Sequence, residues 1–477
     1  MKAFKSLRVK PRSILAGALV TVLVGCSLAP SYKRPALPTA AVYPDANGAM
    51  AVAGLDVRRL GWREFFTDAR LQELIAQALE NNRDLRIAIQ RVKEARALYR
   101  IRRADLVPNI SADGVGSRSR VPSDLSITGS AVTSGQYQAD VGLNTWELDF
   151  WGRVRNLAAA ALESYLATEE AQRAAIISLV GQVANTYLLE RELDELLEIA
   201  QYTIGIREES YRIARRRYEV GFASKLDAVQ AEAQLNQARA DQAVLHRRRD
   251  LNHNALTLLV GASTVAEAKP LSRIEPGFVQ EIFVGLPSDL LMNRPDVLAA
   301  EHQLKAANAN IGAARAAFFP RIALTGAFGT ASAELSGLLG AGSRAWNFAP
   351  SITLPIFEGG RNLANLDVAE ARRNQAVADY ERTIQTAFRE VADALAERRW
   401  LAVQVVDQQA TLAAQTERAR LAGLRYQSGA VPYLEVLDAE RDRFVAEQAL
   451  VQARRALLSS GVGLYAALGG GITREAQ

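Results

Sequence analysis

Cysteine, histidine and methionine are scarce in this chain of 477 residues, which has one cysteine, three histidines and three methionines. A single cysteine cannot form a disulfide within the chain, so stability has to come from burial and assembly. Soft metal ions prefer sulfur ligands, which are almost missing. Walker A, His-Glu-x-x-His and Gly-x-Ser-x-Gly runs are also absent. With so few candidate catalytic groups, the sequence does not indicate an enzyme.

Proline is missing from two long stretches, between Pro122 and Pro270 and between Pro355 and Pro432. Because a proline in a helix interior costs about 3 kcal/mol, such gaps permit very long helices. Apolar residues recur at helical spacing in the first stretch, and the spacing predicts a helix over 153–220. At about 1.5 Å per residue this helix would be roughly 100 Å long. A helix of that length needs partners along its whole length, as in a coiled coil.

Excess positive charge is confined to the first residues of the chain. The formal net charge is +5, from 57 Lys and Arg against 52 Asp and Glu. Five of the basic residues precede an apolar run over 14–24, which predicts a secretory signal over 1–25 that is too short to span a bilayer. Removing these five basic residues from the 57 leaves 52, equal to the acidic count. A nucleic-acid partner is therefore not indicated.

The one cysteine, Cys26, closes the run Leu23-Val24-Gly25-Cys26 directly behind the signal. This run resembles the lipobox of bacterial lipoproteins, in which the cysteine is acylated and becomes the new N-terminus. The next residue is Ser27. In that family a residue other than Asp at this position goes with sorting to the outer membrane. The resemblance implies diacylglycerol and fatty acyl groups on Cys26, and no other cofactor is expected. The proline-containing segment 26–60 is predicted to be an extended tether from this lipid anchor.

The chain repeats itself at an offset of about 210 residues. Arg217-Tyr218-Glu219-Val220-Gly221 is echoed by Arg425-Tyr426-Gln427-Ser428-Gly429. Leu106-Val107-Pro108-Asn109-Ile110 is matched by Phe318-Phe319-Pro320-Arg321-Ile322. Landmarks that recur in the same order indicate two copies of one structural unit.

Each copy predicts a helix of medium length, a hairpin of two strands, a long helix and, after a tight glycine turn, a returning helix. For the first repeat, 61–269, these elements are predicted over 70–104, 106–150, 153–220 and 225–260. For the second repeat, 270–468, they are predicted over 288–317, 319–357, 361–427 and 433–468. Residues 469–477 are predicted to be a loose tail.

The predicted strands alternate, with Ile322, Leu324 and Phe328 on one face and Ala323 and Thr325 on the other. Strands of roughly 12–15 residues are long enough to cross a membrane when tilted. Four strands cannot close a barrel, and open strand edges are forbidden in lipid. The protomer is therefore predicted to oligomerise, and three copies would supply a barrel of about twelve strands.

With these features in place the chain resembles a TolC-like outer-membrane factor, of the lipoprotein branch that serves multidrug efflux systems of the resistance-nodulation-division type. Besides the lipobox, the shared motifs are Ala29-Pro30-Ser31-Tyr32, Arg34-Pro35, Gly61-Trp62, Glu147-Leu148-Asp149, Gly152-Arg153, Asn293-Arg294-Pro295-Asp296, Ala307-Asn308-Ala309-Asn310-Ile311-Gly312, Phe319-Pro320 and Leu437-Asp438-Ala439-Glu440-Arg441. The resemblance implies an α+β membrane protein: a homotrimer whose twelve-stranded outer-membrane β-barrel, four strands per protomer, continues into a long α-helical periplasmic coiled-coil barrel with a mixed equatorial belt.

The resemblance also implies a function and partners. The protein would be the outer-membrane exit duct of a tripartite efflux pump, exporting small molecules such as drugs without covalent chemistry. It would be lipid-anchored in the outer membrane with a large periplasmic portion, and would dock to a periplasmic adaptor and an inner-membrane transporter.

Roles for residues near the two glycine turns follow from the same resemblance. Arg217, Tyr218, Gly221 and Gly429 would form the helix tips that dock the adaptor. The positions that match the family's periplasmic gate are Arg425, Tyr426, Leu434 and Asp438. Copies of Leu434 would make an apolar constriction, those of Asp438 would attract cations, and Arg425 and Tyr426 would tie adjacent helices. The alternative for Asp438 is a solvated coiled-coil carboxylate, because structural ion pairs mimic such sites.

Other functions stay open on the residues alone. A duct for type I protein secretion or for metal-ion export would share the architecture, although the lipobox and the efflux motifs favour small molecules and scarce methionine disfavours soft metals. A coiled-coil scaffold or adhesin would not need hairpins at the same place in both repeats. His246 and His253 share a helix face, but without a further ligand set they do not indicate a metal site.

Overall fold

The computed structural model describes residues 27–43, 55–56, 60–127, 129–261, 282–283 and 294–470. The predicted signal, the lipidation residue Cys26 and positions 471–477 of the predicted tail lie outside these ranges. The chain divides into two compact units, each drawn from both repeats. We call residues 1–35, 92–168 and 300–380 the strand unit, and residues 36–91, 169–299 and 381–477 the helix unit.

Eight helices and six strands follow one another along the described residues. The helices are α1 (Trp62–Phe65), α2 (Ala69–Asn81), α3 (Arg83–Ala104), α4 (Arg153–Glu219), α5 (Lys225–Val260), α6 (Pro295–Ala316), α7 (Arg361–Gln427) and α8 (Tyr433–Ala467). The strands are β1 (Leu55–Asp56), β2 (Ile110–Val121), β3 (Val132–Leu148), β4 (Ile282–Phe283), β5 (Arg321–Ser332) and β6 (Arg344–Thr353). The two longest helices, α4 and α7, have 67 residues each.

The single helix predicted over 70–104 is wrong, because the chain breaks at Asn82 into α2 and α3. The Asn82 side chain accepts a hydrogen bond from the Leu85 N–H at 2.9 Å and so caps the start of α3. Its amide donates to the Leu259 carbonyl, also at 2.9 Å, near the end of α5. One buried asparagine thus serves the start of one helix and the end of another, which favours a break over a continuous helix.

The second repeat has the same junction with a different residue. The predicted helix over 288–317 starts at Pro295, and residues 288–293 lie outside the described ranges. Arg294 precedes α6 and donates from Nη1 to the Ala467 carbonyl at the end of α8, at 3.0 Å. Arg294 thus takes the place of Asn82, and Ala467 takes the place of Leu259.

The sheet of the strand unit has the order β2-β3-β5-β6, and every neighbouring pair is antiparallel. Its register is continuous except for a shift in β3 between Leu143 and Trp146. In the part of the chain that the structure describes, the outermost strands β2 and β6 are each paired on one side only. β1 and β4 form a separate parallel pair in the helix unit.

The core of the helix unit is built around aromatic side chains. Phe65 and Tyr465 stack with their ring centroids 4.3 Å apart, and Phe66 meets both rings. Tyr187 is 1% exposed in the same core. Burial, with the charge of Asp68 beside the hydroxyl, raises the pKa of Tyr187 to about 12. These contacts fix α4 and α8 against the segment that starts at α1.

Candidate channel wall and periplasmic tip

The two faces of the four-stranded sheet differ sharply in polarity. Residues that stand opposite one another in the ladders form apolar rows on one face, and the most exposed of them are Ile110, Val141, Phe328, Trp346, Phe348 and Ile352. Strand residues alternate between faces, so the intervening positions form the other face. A row of large, exposed apolar side chains along 10- to 17-residue strands is the pattern of a lipid-facing membrane strand.

The opposite face of the sheet is mostly polar, with Val115, Val121 and Val132 as apolar exceptions. It carries Ser111, Asp113, Ser117, Ser119, Gln136, Gln138 and Asp140. Asp113 and Asp140 stand directly opposite one another in the β2–β3 ladder. Each accepts a hydrogen bond from a neighbour on its own strand, Asp113 from Ser111 at 2.5 Å and Asp140 from Gln138 at 2.8 Å. This face is suited to water.

Glu147 anchors the base of the sheet to the long helix that follows it. Its carboxylate accepts two hydrogen bonds from Arg153, at 2.9 and 2.7 Å, and pairs with Arg321 of β5 at 2.7 Å. Asp149 accepts from the Arg155 N–H at 2.8 Å near the start of α4. The motif Glu147-Leu148-Asp149 with Gly152-Arg153 is thus a strand-to-helix joint, made by charge-assisted hydrogen bonds.

The two predicted tips are tight helix ends built in the same way. Gly221 and Gly429 have φ values of 79° and 75°, in the left-handed region that favours glycine. The N–H after each glycine donates to a carbonyl five residues earlier, Phe222 to Arg217 at 2.8 Å and Ala430 to Arg425 at 2.9 Å. These bonds satisfy helix-end carbonyls and turn the chain into α5 and α8.

Arg217 joins the two tips to each other. Its guanidinium donates to the Tyr426 hydroxyl and lies 5.2 Å from the centroid of the Tyr426 ring. Tyr426 also packs on Tyr433, with ring centroids 5.0 Å apart. Burial raises the pKa of Tyr433. A residue predicted for adaptor docking and a residue predicted for the gate are thus one contact pair between the repeats.

The other predicted gate residues lie on the α7–α8 pair. Arg425 pairs with Glu435 across the turn at 2.8 Å. Asp438 pairs with Arg441 of its own helix at 3.3 Å, and Leu434, one turn before Asp438, is 51% exposed. The sequence reasoning missed Glu435 and Arg441. Arg441 closes the shared motif that begins at Leu437, but the motif assigns it no role. The pairing itself is signalled only by opposite charges three to ten residues apart, which many solvated helix faces share.

A second arginine–aspartate pair reinforces this tip. Asp442 accepts a hydrogen bond from Arg418 at 2.6 Å and pairs with Arg441 at 3.1 Å. The bond from Arg418, with that from Arg441, holds the pKa of Asp442 below its ordinary value. Asp438 and Asp442 are therefore both joined to Arg441, and the tip is a connected network of charges.

The N-terminal segment is extended and docks on the strand unit. Gly312 leaves room for it, since a Cβ there would lie 2.7 Å from the Ala29 nitrogen. Asn308 donates to the Pro30 carbonyl at 2.7 Å. Glu301, 3% exposed, accepts hydrogen bonds from the Tyr32 hydroxyl at 3.0 Å and from Arg34 at 3.1 and 2.8 Å. The family motifs around Tyr32 and Gly312 are therefore two sides of one docking site, which we call the tether clamp.

Glu301 is the ionised centre of the tether clamp. Burial opposes its ionisation, but hydrogen bonds from Tyr32 and Arg34 and the charge of Lys305 outweigh burial and hold its pKa below the ordinary value. Because the pKa is lower in the folded state than in the unfolded state, this carboxylate stabilises the fold above about pH 4.5. The contribution is lost as the pH falls through the folded-state value.

Replacement of Glu301 by alanine should release the N-terminal segment. The change removes the shared acceptor of Tyr32 and Arg34, at a cost of about 2 kcal/mol, since Arg34 remains partly hydrated. Trypsin at pH 7 should cleave after Lys33, since Pro35 protects the bond after Arg34. We expect this cleavage to be at least roughly fivefold faster than in the wild type, which corresponds to about 1 kcal/mol. The control is Glu334→Ala in the β5–β6 loop. Equal cleavage of the wild type and the Glu301 variant would show that the clamp does not hold the segment.

No group of three or more metal-binding side chains occurs in the described part of the chain. His253 lies 3.2 Å from Glu190, and His302 lies 2.6 Å from Glu163. Across the described ranges, no helix combines the length and the apolar character that crossing a bilayer requires.

A sheet with one lipid-type face and one polar face, joined to long paired helices, defines a membrane-channel class of protein. Comparison with known proteins points to the same class. The model of the family described as outer membrane efflux protein matches residues 74–262 and 286–470. The toluene efflux pump outer membrane protein TtgI of Pseudomonas putida is 47% identical over 94% of this chain and 96% of its own.

Two further relatives extend the comparison. The cation efflux system protein CusC of Escherichia coli is 43% identical over 97% of this chain and 99% of its own. The crystal structure of the open state of the MtrE outer membrane channel of Neisseria gonorrhoeae superposes with a TM-score of 0.84, at 39% identity, over 95% of this chain and all of that one.

The chain therefore belongs to the outer membrane efflux protein family. The predicted TolC-like fold class is confirmed, with mixed helix and sheet, two long helix pairs and four long strands in the protomer. The predicted function and location are confirmed at the level of the family: an exit duct for efflux in the outer membrane. The family consists of transport ducts rather than enzymes.

Proposed function

We propose that three copies of this chain close a twelve-stranded barrel and form the exit duct of a tripartite pump for small molecules. The observation that carries this proposal is the four-stranded sheet, whose apolar face is suited to lipid and whose edge strands β2 and β6 lack outer partners among the described residues. Unpaired backbone groups are too costly in hydrocarbon for these edges to stay open. Pairing β6 of one copy with β2 of the next satisfies both edges.

The partners in this proposal are a periplasmic adaptor and an inner-membrane transporter of the resistance-nodulation-division type. The adaptor would dock on the helix tips around Arg217, Tyr218, Gly221 and Gly429, where Phe222 is 87% exposed. An exposed aromatic side chain on a rigid turn is suited to protein contact. Cys26 would carry the lipid that holds the chain to the membrane, and the tether clamp would fix the segment that follows it.

Small organic molecules are the proposed cargo, and metal ions the runner-up. Of the three relatives compared, one is named for toluene efflux and another for cation efflux. The scarcity of methionine in this chain favours the first, because soft metal ions are carried by sulfur ligands. Type I protein secretion would use the same duct architecture and remains a further alternative.

The proposed gate uses the internal repeat. Arg217 of the first repeat contacts Tyr426 of the second within one protomer. The repeat places Arg425 and Tyr218 at the equivalent positions, so a closed trimer would repeat the contact between Arg425 and Tyr218 of the partner subunit. In a single protomer Arg425 instead forms an ion pair with Glu435. Rings of Leu434 and Asp438 would line the constriction that these contacts hold shut.

Conductance in planar bilayers tests the duct and its gate together. The wild-type trimer should show a small closed-state conductance, and the double variant Arg425→Ala with Asp438→Ala should raise it at least about threefold, since tied helix ends and a charged constriction are both lost. The control is Arg420→Ala, which removes an exposed pair with Glu417 on the same helix. A wild-type protein that is monomeric and never conducts would refute the duct. A double variant with unchanged conductance would refute the gate alone.

A further inference from the structure

The lipid-facing side of the sheet becomes basic at the end that carries the β2–β3 and β5–β6 loops. The helices adjoin the opposite end of the strands, so in the proposed duct the loop end faces the exterior of the cell. Arg118 and Arg120 lie on β2 at even positions, on the same face as Ile110 of that strand. The β2–β3 ladder runs from Ile110 to Val121 without a register shift, so the alternation carries through to both arginines. Arg344, at the first position of β6, pairs with Thr330 and shares the face of Trp346 and Phe348.

These arginines lie just beyond aromatic side chains of the same face. Tyr137 stands opposite Gly116, two residues before Arg118. Trp346, 74% exposed, follows Arg344 by two residues. Tyrosine and tryptophan at the ends of lipid-facing strands mark the level of the membrane interface. The arginines are therefore at headgroup level, on the outside of the wall.

The strand segments around these arginines carry no acidic residue that would neutralise them. Between positions 114 and 137 and between 328 and 347, the charged residues are Arg118, Arg120, Asp124, Glu334 and Arg344. Both carboxylates lie in loops, and Glu334 accepts a hydrogen bond from Ser336. Within the described residues, Arg118, Arg120 and Arg344 are exposed and form no ion pair.

We propose that Arg118, Arg120 and Arg344 bind the phosphate groups of the glycolipid in the outer leaflet of the outer membrane. Arg118 and Arg120 are about 7 Å apart along one strand. Guanidinium groups bind phosphate oxygens in a bidentate manner. A lipid surface rich in phosphate would therefore stabilise exposed arginines at this level.

The proposal rests on the trimeric barrel in one respect. The arginines of β2 and Arg344 of β6 lie on opposite edge strands of the protomer. Closure of the barrel brings β6 of one copy beside β2 of the next, so each subunit boundary would carry a three-arginine patch. One phosphorylated glycolipid per boundary would then bridge two subunits on the outside of the seam.

Native mass spectrometry of the purified full-length trimer with lipid A tests this site. The probe is lipid A that carries two phosphates, compared with the same lipid after removal of both phosphates. The wild type should retain the phosphorylated form, and the double variant Arg118→Gln with Arg120→Gln should bind it about tenfold more weakly, because two charge-assisted contacts are lost. Arg118→Lys with Arg120→Lys should bind with intermediate affinity, because lysine keeps the charge but not the planar fork.

The matched control is Arg103→Gln, an exposed arginine at the end of α3, before the opposite end of β2. This change should leave lipid retention unaltered. Equal binding of the dephosphorylated lipid, or equal losses in the Arg103 variant and the double glutamine variant, would overturn the proposal. Bilayer conductance of the double glutamine variant distinguishes failure of the lipid site from failure of the duct. Lost lipid binding with conductance like that of the wild type supports the lipid site and leaves the duct intact. Normal lipid binding in the variant refutes the lipid site without affecting the duct.

Discussion

Alanine at Gly329 should abolish the folded channel, although the change adds only one methyl group. A Cβ at this position would lie 2.1 Å from the Ala139 carbonyl oxygen and 2.5 Å from the Asp140 Cα, both backbone atoms of β3. Backbone in the middle of a sheet cannot move away without breaking the ladder that holds it. The β3–β5 pairing joins the two hairpins of the protomer, so its loss separates the sheet into halves.

The measurement is the amount of heat-resistant oligomer in the outer-membrane fraction. We expect at least roughly a tenfold loss for Gly329→Ala, because 2 kcal/mol or more of strain is a large part of the stability of a marginal fold. Gly114→Ala is the matched control, since a Cβ there would meet no atom within 4 Å in the protomer. Normal amounts of the Gly329 variant would show that β3 and β5 do not approach as closely as the structure places them.

The strands illustrate what the sequence can and cannot predict. Period-two alternation around Ile322 and Phe328 predicts both the strand and its two faces, and the structure confirms the faces. Alternation does not reveal how closely a neighbouring backbone approaches Gly329. It also gives no sign of the register shift between Leu143 and Trp146, because a shift depends on the partner strand rather than on the local pattern.

The buried charges illustrate the same limit. Glu301 lies in a segment correctly predicted as helix, and a glutamate on a helix usually faces water. It becomes buried because the tether covers it, more than 260 residues away in the sequence. At the tips, repeated arginine, tyrosine and glycine residues predict the turns. The pairing of Arg217 with Tyr426 follows only from the packing of one helix pair on the other.

Replacement of Arg294 by alanine should cause the largest loss of stability in the helix unit. The guanidinium is 9% exposed and contacts three groups: Asp296 at 3.0 and 2.6 Å, Glu390 at 2.8 Å, and the Ala467 carbonyl at 3.0 Å. Its removal leaves the end of α8 without its donor and two carboxylates without their cation. Because Asp296 and Glu390 are each about 40% exposed, both regain some water. The expected cost is therefore about 2–3 kcal/mol, below that of a fully buried pair.

Loss of helical circular dichroism on heating measures this effect, with an expected fall in Tm of roughly 3–5 °C for a unit of this size. Arg294→Lys should fall between the wild type and alanine, because lysine keeps the charge but lacks the planar fork that binds Asp296 through two N–H groups and still reaches the Ala467 carbonyl. The control is Arg389→Ala, whose side chain is 69% exposed and lies 3.7 Å from Asp393. That pair should contribute less than about 0.5 kcal/mol.

The internal repeat makes the Arg294 result a test of architecture as well as of stability. Asn82 joins α5 to α3 as Arg294 joins α8 to α6, so each repeat has one side chain that locks two helices end to end. Asn82 is neutral and needs only one donor and one acceptor, so Asn82→Ala should cost about 1–2 kcal/mol, less than the loss of Arg294. If both alanine variants melted like the wild type, the end-to-end junctions would not support the helix stacks, and packing along the helix sides would have to hold them alone.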